Sequence, residues 1–107
     1  MLLPQLKSKE IYDAIIVGAG PAGLSAAIYL SRANLKTLIL EAEKPGGKML
    51  GPHLIQNYPG FMSIQSLELA EKMVRQAEDS GAKIVYPARA AGFELVATPK
   101  IVRTRDK

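Results

Sequence analysis

Hydrophobic and polar positions along this chain change period several times, and each change marks an element. Ala14 to Val17 is apolar without alternation. Such a run suits a strand buried on both faces, as in a parallel sheet. From Pro21 to about Arg32 the spacing becomes helical, with Leu24, Ala27 and Ile28 on one face. Pro21 fits the first helical position, where its missing N–H costs nothing, and Asn34 is a stop signal. Lys36 to Glu41, KTLILE, reads as a second strand. Strand, glycine turn, helix and strand make a βαβ unit, whose crossover is expected to be right-handed.

The pattern then breaks. Ala42 to Met62 holds three prolines and four glycines and reads as a long loop, a type that is usually functional in a compact domain. Periodicity returns from Gln65 to Ser80. There Ala70, Met73, Val74 and Ala77 share a face, while Glu68, Glu71, Lys72, Arg75 and Glu78 lie off it. Gly81 suits the position just past a helix end. Lys83 to Tyr86 reads as a third strand. Phe93 to Ala97 and Ile101 to Arg105, flanking Thr98-Pro99, read as an antiparallel hairpin. The fold class expected is α/β: a Rossmann-like parallel sheet with helices on its faces and a C-terminal β-hairpin.

Size and composition narrow the choice. The 107 residues suit one domain, with residues 1–10 as an N-terminal extension. With no cysteine, disulfides, cysteine metal sites and thiol nucleophiles are excluded within this sequence, and a cytoplasmic setting is expected. The net charge of +4 raises the question of nucleic acid. However, Lys7, Lys9, Lys100, Arg103, Arg105 and Lys107 cluster near the termini without interleaved aromatics, so a solvated surface is the better reading. No run reaches the ~18 apolar residues of a membrane span, and no signal peptide is read. No His, Asp or Glu cluster has metal-ligand spacing.

The chemistry concentrates at the corner VGAGPAG. Gly18-x-Gly20-x-x-Gly23 follows a predicted strand and opens a predicted helix. The first glycine permits a tight turn, the second lets a pyrophosphate approach the backbone, and the third allows close helix packing. The helix start offers free N–H groups and a partial positive charge to phosphates. Glu41 ends the next strand about 20 residues on, where a carboxylate can accept from both ribose hydroxyls and repel a 2′-phosphate. These residues fit the ADP half of either NAD or FAD.

The loop PGGKMLGPHLIQNYPG adds specificity. With VGAGPAGLSAAIYLSRANLKTLILE and the helix ELAEKMVRQAEDSGAKIVY, it resembles the FAD-binding N-terminal segment of the low-molecular-weight thioredoxin reductases, over roughly Asp13 to Tyr86. The resemblance implies FAD, with NAD the alternative. It places Gly18, Gly20, Pro21 and Ala22 on the pyrophosphate and Glu41 on the adenosine ribose. Gly46, Gly47 and Lys48 would run beside the ribityl chain and flavin, Asn57 would meet the flavin end, and backbone near Arg89 would meet the adenine. The family commonly has Gln where Lys48 stands, so the resemblance puts a cation near the flavin, where it could stabilise the reduced form. It implies hydride transfer from NAD(P)H through flavin to an acceptor, with no covalent catalyst in this segment.

The family's Cys-x-x-Cys, its NADPH-binding domain and the segment that completes its FAD domain do not occur in these residues. The chain is therefore expected to be an incomplete FAD-binding domain, its sheet finished by a further segment or a second chain; a homodimer is one such arrangement. Two alternatives stay open: a stand-alone non-catalytic dinucleotide-binding module or truncated gene product, and a fragment of a cysteine-free NAD(P)H reductase of ferredoxin- or flavodoxin-type carriers. His53, the one histidine, reads as a loop residue that an acid–base role near a flavin would also suit. Tyr29, Tyr58 and Tyr86 read as packing residues, and Ser25 and Ser31 lack a nucleophile-elbow setting.

Overall fold

The computed structural model describes residues 10–96 and 98–105, so most of the expected N-terminal extension lies outside the described residues. The elements run β1 (Ala14–Val17), α1 (Pro21–Arg32), β2 (Thr37–Leu40), β3 (Leu54–Ile55), β4 (Ile64–Gln65), α2 (Ser66–Asp79), β5 (Lys83–Val85), β6 (Arg89–Glu94) and β7 (Ile101–Arg105). A short 3₁₀ turn at Gly47–Leu50 lies between β2 and β3. The main sheet is parallel, in the order β1-β2-β5. Register puts Ile16, Ile39 and Ile84 side by side on one face, and Val17, Leu40 and Val85 on the other.

Each face has its own cover. Leu24 and Ala27 of α1 and Leu69, Met73 and Ala77 of α2 close over Ile39, with Ile16 and Ile84 packed beside them. On the opposite face Leu38, Leu40, Val85 and Ala88 form a second cluster, against which Tyr12 and Val102 of β7 pack. Leu24 and Ile39 are fully buried, a change worth roughly 1.5–3 kcal/mol for each such side chain.

The helix boundaries follow local chemistry. Asn34 ends α1 with φ 69°, the left-handed conformation that asparagine tolerates. Gly81, with φ 115°, ends α2 and donates to the carbonyl of Glu78 at 2.9 Å.

Two expectations are corrected. Only β2 is buried along its whole length. Strand β1 was expected to be covered on both faces, yet Ile15 is 36% and Val17 53% exposed. The reason is position: β1 is an edge strand, and the hairpin covers the middle of the sheet without reaching it. The first hairpin arm is Arg89–Glu94 rather than Phe93–Ala97, and Ala97 lies outside the described residues. The chain is pinned just before that arm, where the Ala88 N–H donates to the Glu41 carbonyl at 2.8 Å, so pairing starts at Arg89↔Arg105. Among the described residues no helix is long and apolar enough to cross a membrane.

Candidate functional site

The corner between β1 and α1 is built from main chain. Gly18 has φ 104°, so the first glycine is required by conformation. A Cβ on Gly23 would overlap the Gly18 carbonyl oxygen and press on Ile16, so the third glycine is required by the approach of helix to turn. Gly20 is different. Its φ of −81° and ψ of −172° suit any residue, and a Cβ there would meet nothing within 4 Å. Nothing in the fold asks for glycine at this position; a group approaching from outside would.

Gly20 caps α1 without a side chain, Pro21 follows, and no acidic residue occupies the first turn. The N–H groups of Ala22 and Gly23 therefore have neither an intrahelical acceptor nor a side-chain cap. They present a positive, donor-rich end on an exposed surface, which is the chemistry a diphosphate needs.

A second backbone loop closes against the first. The Gly46 N–H donates to the Ala19 carbonyl at 2.7 Å. Gly46 and Gly47 both have positive φ, and a Cβ on Gly47 would sit 3.5 Å from the Gly20 Cα. Glu41 joins the two loops. Its Oε1 accepts from the Ala19 N–H at 2.8 Å and its Oε2 from the Glu43 N–H at 2.9 Å, and the residue is only 9% exposed. The sequence suggested a carboxylate facing ribose hydroxyls; here both oxygens already accept from amides, each with a further lone pair to offer.

The structure thus brings Gly18, Gly20, Pro21, Ala22, Gly23, Glu41, Gly46 and Gly47 to one region. Lys48 follows Gly47 in the 3₁₀ turn and is exposed. Arg89 is exposed at the start of β6, one residue beyond the link between Ala88 and Glu41. Asn57 lies exposed between β3 and β4. His53 is also exposed, its ring close enough to Gly51 that a Cβ there would collide with it.

Two contributors escaped the sequence reading. Ala19, fully buried, donates to Glu41 and accepts from Gly46. Ser66 is buried at the start of α2. Its hydroxyl donates to the Met49 carbonyl at 2.6 Å and its N–H to the His53 carbonyl at 2.8 Å, tying the long loop down at two points. A serine opening an amphipathic helix was the available signal, but it points to a cap rather than to a loop anchor. One surface concavity runs along the charged side of α2, lined by Arg32, Glu68, Lys72 and Arg75, and a second lies between α2 and the residues flanking the second glycine loop, Lys44, Pro45 and Leu50.

Known proteins resemble this chain in sequence and fold. Residues 12–105 match the family described as pyridine nucleotide-disulphide oxidoreductase. The chain belongs to that family. Within it, the thioredoxin reductase of Bacillus subtilis is 51% identical over 81 residues, covering 76% of this chain and 26% of that protein. A 34.2 kDa protein in a rubredoxin operon of Clostridium pasteurianum is 41% identical over 101 residues, covering 94% of this chain and 33% of its own length. The crystal structure of thioredoxin reductase from Streptococcus pyogenes superposes with a TM-score of 0.83 at 40% identity, over 90% of this chain and 31% of that one. This member of the pyridine nucleotide-disulphide oxidoreductase family therefore corresponds to part of the thioredoxin reductase fold. It spans about a quarter to a third of the length of these relatives.

Proposed function

We propose that this chain binds FAD as part of a thioredoxin-reductase-like oxidoreductase, in which hydride passes from NAD(P)H through the flavin to an acceptor. The observation that carries the reading is the open position at Gly20. An unstrained glycine with free space before it, at an uncapped helix start, fits the close approach of a diphosphate. The family binds FAD, and the position of Gly47, where a side chain would meet Gly20, favours FAD over NAD, because it extends the cradle past the diphosphate with a second side-chain-free surface.

In this reading the turn at Gly18 and Gly20, with Pro21, Ala22 and Gly23, holds the diphosphate. Glu41 lies at the adenosine ribose, and backbone at Arg89 borders the adenine. Gly46, Gly47 and Lys48 line the path toward the ring, and Asn57 meets its far end. The flavin, when bound, supplies the redox chemistry. The protein binds the diphosphate through main-chain amides, keeps bulk away from it at Gly20 and orients the rest of the cofactor.

A binding role without turnover is the second reading. Among the described residues no strand pairs with the outer edge of β1, and Ile15 and Val17 are exposed; this favours it, since such an edge calls for another strand, from a further segment or a second chain. One experiment tests the FAD reading. The purified chain is saturated with FAD, freed of excess, and examined for a flavin absorption band before and after NADH or NADPH is added. A retained band supports FAD binding; bleaching by NADH or NADPH rules out the binding-only reading, while a persisting band is what either a binding module or a part without the family's NADPH-binding domain gives. A colourless protein contradicts both.

A further inference from the structure

Glu41 is the point where three separate stretches of backbone meet. Its carboxylate holds the Ala19 and Glu43 amides. Its own N–H donates to the Val85 carbonyl at 3.0 Å, and its carbonyl accepts from Ala88 at 2.8 Å. Ala19 in turn accepts from Gly46. Among the described residues the carboxylate is therefore the side chain that ties the first glycine loop to the start of the second. Charge-assisted bonds to backbone amides in a buried setting are stronger than neutral ones, and losing one leaves an amide unsatisfied.

We infer that Glu41 is a positioning residue that braces the two glycine loops in their binding shape before any cofactor arrives. This rests on the FAD reading but differs from a ribose contact. A residue that only accepts from ribose acts after binding and through the hydroxyls. A brace acts in the free protein and through the amides of Ala19 and Glu43, which lowers the ordering cost of binding.

Glu41→Gln separates the two roles. Glutamine keeps the size and one carbonyl oxygen, but whichever way its amide turns, one of the two N–H groups faces an NH₂ instead of an acceptor. Hydrogen exchange is followed by NMR in the cofactor-free chain. Exchange at Ala19 or Glu43 is expected to rise at least tenfold, while Leu38 and Ile39 in β2 keep their protection. Affinity is then measured for FAD and for FAD whose adenosine lacks both ribose hydroxyls. The brace predicts that Glu41→Gln weakens both cofactors by a similar factor, fivefold or more.

Unchanged exchange at Ala19 and Glu43 overturns the inference. So does a penalty that vanishes with the dideoxy cofactor, or exchange that rises equally throughout β2. Should Glu41→Gln fail to fold, Glu41→Asp, one methylene too short to span both amides, is read by the same criteria. If the parent chain binds no FAD, the functional proposal fails, and the exchange measurement alone decides for or against the brace.

Discussion

Glycines 20 and 23 are three residues apart in one motif, yet the structure gives them opposite duties. Gly20→Ala places a methyl in open space on a backbone that any residue adopts. Alanine gains ~0.4–1 kcal/mol from a less flexible unfolded chain, and loses a comparable ~0.5–1 kcal/mol because it is a poorer helix cap than glycine. The two nearly cancel. At ~4–8 °C per kcal/mol for a domain near this size, Tm should move by no more than about 5 °C. In the proposed FAD complex, however, the methyl stands where the diphosphate approaches. Losing one charge-assisted hydrogen bond of ~1.5–3 kcal/mol weakens FAD binding by about 10- to 150-fold.

Gly23→Ala reverses the pattern. Its Cβ would overlap the Gly18 carbonyl oxygen and lie 3.2 Å from the Ile16 methyl, so α1 must back away from the turn. Overpacking of that kind costs ~1–3 kcal/mol, a fall in Tm of about 5–20 °C. Thermal unfolding followed by circular dichroism without cofactor, paired with flavin-fluorescence titration, measures both quantities. The reasoning is refuted if Gly20→Ala unfolds as early as Gly23→Ala, or if Gly20→Ala binds FAD as tightly as the parent.

Three further expectations follow from other parts of the molecule. Ser66→Ala removes the 2.6 Å bond to the Met49 carbonyl; it should cost ~1–2 kcal/mol in chemical denaturation and raise amide exchange around residues 49–53. Burial, with a smaller contribution from the nearby Glu10 carboxylate, pushes the Tyr12 hydroxyl up to about 12 from its ordinary 10.0. Because the folded value is raised, this stability is fully present below pH ~10 and is lost as pH climbs toward 12; Tyr12→Phe should flatten that part of the stability curve. Lys48 is exposed and screened, so Lys48→Gln should lower the potential of a bound flavin by less than about 30 mV, which redox titration resolves.

The sequence revealed most where a signal was local. Pro21 and Asn34 bracket α1, and Gly81 ends α2, because each residue's own backbone preference does the work. The glycine spacing was equally legible, since Gly18 and Gly23 are fixed by the turn they form. What depends on distant neighbours was harder to see. An apolar run does not say whether its strand is central or at an edge, so the exposure of Ile15 and Val17 came only with the sheet order. The start of β6 is set by a hydrogen bond reaching back to Glu41. Within the long loop, Leu54 and Ile55 find partners in Gln65 and Ile64, and Ser66 reaches back to Met49. Glu41 was recognised from its place after β2, but its bonds to Ala19 and Glu43 depend on how the two loops fold together.

The central claim is that bare main-chain amides at the start of α1 receive the diphosphate of an adenine dinucleotide. The most direct test is a ¹⁵N–¹H correlation spectrum of the labelled chain titrated with FAD. The largest saturable shifts should fall on Gly20, Ala22, Gly23 and Gly47. If those amides stay in place at saturating FAD while others move, or if nothing moves at all, the claim is contradicted.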